Sequence, residues 1–584
     1  MNTRTVINRA VLGAISSLAI IATAQAADPI TSGSILVNGS TFTPTIENNA
    51  FTIGANGDAV CLGTDSGAYG IAIKSLDTPL TGNVLGKTIS LNSNFRTIYA
   101  TWWNSKDNPA TLNIGNDSTE TINITMNGGH SDDGSSAIMA LDLGTTTLLT
   151  AKNIKITSNG DFAVQVAALH DELGPNLATL SLTAVDNGDI SVVNTAADGV
   201  GLAAYSGGTL NIKGNLNVKA KTAIETRGDA TININTDGKA STVIDGDIVF
   251  GTTDNRSGHM LNANLNLNLT GSDSVWSGNL KTEYPASLSE SDQKVTNAAI
   301  TIADGAQWNV TKVNEVTEGS DISKSLALNN LTLNNGVVSI QDTSTTVKID
   351  NLKGSGGTVN VAASTDDGAT LTTAKLEAST SSVQKLDVAL TGIDADDISD
   401  ADSALASAAG AVSAGDSKTT VTIKEGAVNG AITADTTGGI VKSVTTTENT
   451  KLAAFNSVSA MATMAWRHDM NDLTKRMGEL RDSPEGIGSW VRFYGSEQEY
   501  GRQNVTSKST SVQLGSDYDI GSGWKVGGAF TYTDGTSKYD NGSSDNKAYG
   551  VAAYGSWLAD NGAFVDLIGK YSRLSSDFEL SSMD

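Results

Sequence analysis

Short apolar alternations recur along the middle of the chain, each cut off by a turn, and no other feature narrows the fold as much. Ile122-Asn123-Ile124, Ile154-Lys155-Ile156, Leu180-Ser181-Leu182, Ile190-Ser191-Val192, Leu210-Asn211-Ile212 and Ile232-Asn233-Ile234 follow one another between residues 100 and 360. Alternation with period two puts one set of side chains inward and the other outward on a strand. The last three triplets start 20 and 22 residues apart, and Asn187-Gly188, Gly207-Gly208 and Gly228 precede them, where the chain must turn. A second register lies between them in Ala163-Val164, Val200-Gly201-Leu202 and Ala223-Ile224. Recurrence at about 20–25 residues, with more than one strand per unit, predicts a right-handed parallel β-helix or related solenoid. Each coil of such a fold buries its apolar face only by stacking on its neighbours. Coils repeat about every 4.8 Å, so ~16 of them would make a rod on the order of 75 Å. The rival is a pair of β-sandwiches, which also combine short strands with regular turns but rarely hold this period.

Composition supports an all-β reading. The chain has 60 Gly and only 7 Pro, with aromatics at 5%. It is rich in Val, Ile and Thr, which suit a pleated surface, and in Gly, Asn and Asp, which suit tight turns. At 584 residues it should hold two or three structural regions. A formal net charge of −25 argues against nucleic acid as a partner, because that affinity depends on Lys and Arg displacing counterions. Cys61 is the single cysteine, so no intrachain disulfide forms. It reads as a small buried hydrophobe.

The N-terminus reads as an export address. Arg4 and Arg9 give a positive segment, Ala10 to Ala22 a short apolar one, and Ala24-Gln25-Ala26 a cleavage site. Residues 1–26 are therefore expected to be a signal peptide, cut between Ala26 and Ala27. No later stretch offers the roughly 18 consecutive apolar residues of a membrane helix, so a membrane-bound mature chain must be a barrel. Residues 364–450 are rich in Ala, Ser, Thr, Asp and Gly; 388–418 read as a poorly packed excursion and 419–450 as returning strands. Residues 452–481 favour helix formers, and Ser483-Pro484 ends that helix. Five segments of alternating apolarity follow: Trp490–Tyr500, Thr510–Ile520, Trp524–Thr533, Lys547–Trp557 and Ala563–Tyr571. In the fifth, Val565, Leu567, Gly569 and Tyr571 can face lipid while Asp566 and Lys570 face a polar lumen.

Lys475-Arg476-Met477-Gly478-Glu479-Leu480-Arg481-Asp482 and Gly488-Ser489-Trp490-Val491-Arg492 resemble the linker helix and first barrel strand of type V autotransporters. Gly550 to Trp557 and Phe564-Val565-Asp566 continue the similarity. Upstream, Leu265–Gly278, Gly305–Val310, Leu331–Asn334 and Leu352–Gly357 resemble the C-terminal passenger of pertactin-like and AIDA-like members. The resemblance implies a β-helical passenger at 27–450, with an autochaperone-like region at about 260–360. It also implies a linker helix at 451–484 and an autotransporter β-barrel domain from 485 to 584. It implies as partners the outer membrane and its barrel-assembly machinery, with the passenger outside the cell. Family barrels have twelve strands and an aromatic-terminated assembly signal. The fifth segment here is followed by a stop at Met583-Asp584, which reads as an incomplete barrel, from a fragment or a disrupted gene.

Some members cut themselves by Asn cyclisation, and Asn471-Asp472 occupies that position; the alternative is an ordinary polar pair on a helix in a wet lumen. Some passengers are serine proteases, so Thr64-Asp65-Ser66-Gly67 deserves comparison. A chymotrypsin-like arrangement places His and Asp before the Ser, whereas His130, His170, His259 and His468 all follow Ser66. The histidines are too scattered for a zinc site. Arg227-Gly228-Asp229 is an integrin-type tripeptide, and it also falls where a coil corner needs a turn. The expectation is a non-enzymatic passenger without cofactor, serving adhesion, autoaggregation or biofilm and meeting host-cell surfaces or other bacterial cells. An enzymatic or toxin passenger and a non-functional gene fragment are the alternatives.

Overall fold

A computed structural model describes residues 30–32, 35–75, 78–102, 109–129, 134–141, 145–167, 178–251, 263–283, 297–311, 327–414, 417–437, 440–470, 473–501, 504–539 and 542–580. Residues 1–26, read from the sequence as a signal peptide, and Ala27 lie outside the described residues, as do Asn471, Asp472, His130, His170 and His259. Two compact units emerge. One takes in the described residues up to Ile393 with 398–423 and 433–444; the other takes in 394–397, 424–432 and the residues from Thr445 onward.

The first unit is a parallel β-solenoid. One coil runs through Thr179–Ala184, Asp189–Asn194 and Val200–Tyr205, and each of these strands pairs in parallel with its counterpart in the coils on either side. Three strand columns result. In the first, Val84, Ile114, Leu149, Leu182, Ile212, Ile234, Leu267, Ile300, Leu331 and Leu352 stand in register, all buried. This aliphatic ladder is the stacking that the sequence demands, since each coil alone would leave its row in water.

Coil length is not constant. Thr111 pairs with Thr146, Thr146 with Thr179, Thr179 with Thr209 and Thr209 with Thr231, so successive coils take 35, 33, 30 and 22 residues. Ile190 stands in the second column and Leu210 in the first, so their spacing of 20 is a step between faces. Leu210 to Ile232 is a true coil. Strand register is set by stacking, while the corners between columns are free to vary in length. Three residues separate Tyr205 from Thr209 and eleven separate Ala167 from Thr179.

Trp276 and Trp308 occupy one inward row of the second column, in register and fully buried. Their rings stack at 4.5 Å and 3°. Each indole N–H finds a carbonyl one coil away: Trp276 donates to Gly246 O at 3.1 Å and Trp308 to Gly278 O at 3.2 Å. A Cβ on Gly278 would stand 2.0 Å from Gly246 O, so glycine is what lets the backbone pass this close.

Two expectations are corrected. Cys61 is exposed, because Val60 and Leu62 take the inward positions of strand Ala59–Gly63 and alternation turns Cys61 out. Nor is 388–418 poorly packed. Lys385–Thr391 continues the second column and stacks on Lys418–Ile423. Helix α1 (Ala401–Ala409), with Asp400 as N-cap, buries Ala404, Leu405, Ala408 and Ala409. Alanine fills a core here because its small side chain allows close approach of the backbone.

The second unit contains helices α2 (Thr450–Met470) and α3 (Thr474–Arg481), where the sequence suggested one helix. Five antiparallel strands follow in order: Ile487–Tyr500, Val505–Gly521, Trp524–Tyr539, Gly542–Leu558 and Phe564–Leu580. They are longer than the apolar segments, because polar ends such as Glu497/Lys508 continue the pairing beyond the apolar rows. None of the helices among the described residues is long and apolar enough to cross a membrane.

Candidate functional site

The five-stranded sheet has two unlike faces. On one, cross-strand rows bring together Val491, Leu514, Phe530, Val551 and Tyr571, all exposed. Aromatic pairs bound this band, Trp524 with Trp557 at one edge and Tyr532 with Tyr549 at the other. The edges are eight residues apart along the strands. That is about 26 Å of extended chain, on the order of 20 Å when tilted, which matches the apolar belt of an outer-membrane barrel.

The opposite face is polar and carries the helices. Arg476 of α3 pairs with Asp517 through Nη2 at 2.5 Å and Nε at 3.2 Å, with side-chain exposures of only 12% and 4%. Asp517 also accepts from Tyr554 OH at 3.2 Å, and that hydroxyl accepts from Trp490 Nε1 at 2.9 Å. Arg481 reaches Asp566 at 3.0 Å, and Lys570 reaches both the carboxylate and the carbonyl of Asp469, at 2.7 and 2.8 Å. Asp566 and Lys570 thus face the helices, as the alternation of the fifth strand suggested. Apolar contacts fill in between: Leu473, Met477 and Leu480 pack with Tyr554, and Met461 and Met464 with Val505 and Tyr539. His468 sits between Ser511 and Ser496, at 3.0 and 2.9 Å. A buried charge is costly unless paired, so three ion pairs fix both the depth and the rotation of the helices on the sheet.

The start of α2 is held by a carboxylate clasp. Asn449 Oδ1 accepts from Leu452 N at 2.7 Å, and Glu425 accepts from Thr450 N at 2.9 Å and Thr450 Oγ1 at 2.6 Å. Beside it, Asp396 accepts the backbone N–H groups of Asn429 at 2.7 Å, Ala427 at 2.6 Å and Val428 at 3.0 Å. These bonds, that from Asn429 foremost, hold the Asp396 carboxyl below the usual range. The folded value lies under the unfolded one, so this contribution is whole above about pH 4 and is lost as pH falls through the depressed value. Protease protection of 424–432 should therefore drop on acidification. In Asp396→Asn that protection should be weaker at neutral pH, with a smaller acid-dependent change. Equal pH profiles for the two proteins would refute the assignment.

The residues singled out in the sequence are not brought together. Asn471 and Asp472 fall outside the described residues, between Asp469 and buried Leu473. Arg227 is buried and ion-paired with Glu225. Gly228 and Asp229 follow at φ +61° and +55°, a left-handed corner whose Gly228 carbonyl accepts from Gly207 N at 2.7 Å. Arg227 would have to leave its pair to reach a partner. Thr64–Gly67 is a turn closed by Gly67 N–H on Thr64 O at 3.0 Å. Among the described residues no group of three His, Cys, Asp or Glu could hold a metal.

The outward side-chain ladder expected of a solenoid flank runs along the first column. Asn113 Nδ2 donates to Asn83 Oδ1 at 2.9 Å, Asn211 to Ser181 Oγ at 3.5 Å, Asn233 to Asn211 at 2.9 Å and Asn266 to Asn233 at 2.8 Å. The signal was available in the near-repeats Thr111-Leu112-Asn113-Ile114, Thr209-Leu210-Asn211-Ile212 and Thr231-Ile232-Asn233-Ile234.

Comparison with known proteins gives a match to one family model, the autotransporter beta-domain, over residues 489–582. The chain is 29% identical over 131 residues to the pertactin autotransporter of Bordetella bronchiseptica, which covers 21% of this chain and 14% of that protein. It is 34% identical over 116 residues to the serine protease EatA of Escherichia coli, covering 19% of this chain and 8% of that one. It is also 34% identical over 122 residues to the serine protease EspP of Escherichia coli, covering 20% and 9%. The alignments thus span no more than about a seventh of the relatives' own length.

Proposed function

We propose that this chain, an autotransporter outer-membrane protein with its β-domain at residues 489–582 and its passenger at the cell surface, displays a non-enzymatic, adhesive solenoid. The observation that carries the reading is the outward amide ladder over successive coils. One hydrogen-bonding site per coil is weak, but a row of them at fixed spacing adds by multivalency. The two kinds of relative, a pertactin and serine proteases, leave the passenger's role open in name.

In this reading the apolar face of the sheet meets lipid, and the helices stay on its polar face after the passenger has crossed. The stretch 260–360 acts as the coil set on which the rest stacks, with the Trp276–Trp308 pair at its centre. Cells displaying the protein should adhere to one another or to host-cell monolayers, and Asn211→Ala/Asn233→Ala/Asn266→Ala should cut that adhesion about tenfold at equal surface level. Adhesion unchanged in the triple variant, or no greater than in cells lacking the protein, would dismiss the proposal.

A further inference from the structure

Two cations stand at the rim of the apolar belt without a partner in the protein. Arg573 completes the last belt row after Phe493, Val512, Tyr532 and Tyr549, and Lys547 lies two residues beyond Tyr549 on the same face. Both are exposed, and among the described residues neither makes a hydrogen bond or an ion pair. Other cations of the sheet are matched: Lys508 with Glu497, Lys525 with Ser483, Lys570 with Asp469, and Arg492 over the Tyr494 ring. Lys538, also exposed and unmatched, stands two outward rows farther along the same face. Unmatched cations are thus gathered on the lipid side of the sheet, toward one end.

The helices show which end that is. α2 packs Met461 and Met464 against Val505 and Tyr539, whereas α3, later in the chain, packs on Tyr554 and pairs Arg481 with Asp566. The chain therefore crosses the sheet from its Tyr539 end to its Asp566 end. The passenger precedes α2 and lies at the cell surface, so the Tyr539 end faces outward. Lys547 and Arg573 then sit where the outer leaflet passes from acyl chain to headgroup.

We propose that Lys547, Arg573 and Tyr549 bind a phosphate of the phosphorylated glycolipid in the outer leaflet. Tyr549 stands directly opposite Arg573 and Lys547 diagonally from it, so the three side chains start roughly 5–8 Å apart. An ammonium, a guanidinium and a phenol hydroxyl at that separation converge on one tetrahedral anion. An arginine in an apolar row is stable only when its head reaches the headgroup level. Below it, Val551 and Tyr571 offer an apolar surface to the acyl chains of the same lipid. Asp534 faces Lys547 across the strands without pairing with it, so the phosphate is met from the Arg573 side. On a chain of net charge −25, such a local pair of cations decides whether an anionic lipid can approach.

Height selects a glycolipid over an ordinary phospholipid. Beyond Tyr532 and Tyr549 the paired strands continue to Tyr539 and Gly542, with Thr510, Asp534, Ser575, Thr536 and Asp545 outward. That is about 24 Å of extended chain, on the order of 18 Å when tilted. A phospholipid headgroup layer is only about 5–8 Å thick, so a polar wall of this height fits a saccharide headgroup.

The full chain, extracted from outer membranes in mild detergent, tests this by native mass spectrometry of retained and added lipid. The parent should hold bisphosphorylated lipid A and lose it as salt rises, since exposed charge contacts are screened. Lys547→Ala and Arg573→Ala should each weaken binding about fivefold, and the double variant about thirtyfold. Lys547→Arg/Arg573→Lys should stay close to the parent. Unchanged protease protection of α3 in each variant separates loss of the site from loss of the fold. Equal binding of dephosphorylated lipid A would overturn the proposal, because the contact would then be apolar alone. Equal binding of phosphatidylglycerol would assign the site to anionic lipid in general and overturn the choice of glycolipid. Inorganic phosphate displacing the lipid at equal concentration would assign it to the free anion, with the same consequence. Binding by the folded double variant at the parent's level would overturn the role of these two cations.

Discussion

Trp308→Ala is expected to lower the unfolding free energy of the solenoid by about 3–5 kcal/mol, the range for emptying a buried aromatic site. The loss has three sources. The ring stacks on Trp276 at 4.5 Å, its N–H satisfies Gly278 O, and the cavity cannot collapse because the backbones above and below are locked in register. A denaturant midpoint shift with unchanged slope would report it. Trp308→Phe should recover part of the loss and leave Gly278 O without its donor. A shift under about 1 kcal/mol for Trp308→Ala would mean that the pair is incidental to the stack. Because stability in a solenoid is shared between neighbours, the damage should extend to the coils either side of 307–310 and appear as added protease sites there.

Asp517→Ala should release α3 from the sheet. It strips the partner from Arg476, which is only 12% exposed, and leaves that guanidinium over the Trp490 ring with one carboxylate contact fewer. Removing one member of a buried pair costs about 3–5 kcal/mol, whereas replacing both by apolar groups can be nearly neutral. Arg476→Met/Asp517→Leu is therefore expected to hold the helix better than Asp517→Ala alone. Protease cleavage within 474–481 of the membrane-inserted protein would measure this. Protection that is unchanged in Asp517→Ala would show that the apolar contacts of Leu473, Met477 and Leu480 suffice by themselves.

Much of this was legible in the sequence, and what was not has physical causes. The triplets such as Leu210-Asn211-Ile212 revealed strands and their inward faces, because period two is a property of the strand itself. They did not reveal coil length, because the corners between columns are not constrained by stacking. Ile190 and Leu210 therefore mimicked a repeat while standing on different faces. The alternation of Val565, Asp566, Leu567 and Lys570 correctly sorted the two faces of the fifth strand. The partners of Asp566 and Lys570, which are Arg481 and Asp469, lie 85 and 101 residues away and could not be read from spacing. The Arg227-Gly228-Asp229 tripeptide was visible as letters, yet the burial of Arg227 against Glu225 depends on which face of the strand each occupies.

The uneven corners have an outcome for how such a protein can change over time. A corner of three residues after Tyr205 and one of eleven after Ala167 leave the rungs between them equally well paired. Length is thus nearly neutral at this edge of the rod, and loop closure grows only slowly dearer as residues are added. New segments can be gained, lost or diversified there while the stacked strands stay as they are, so the sequence of that edge can drift without loss of the scaffold beneath it.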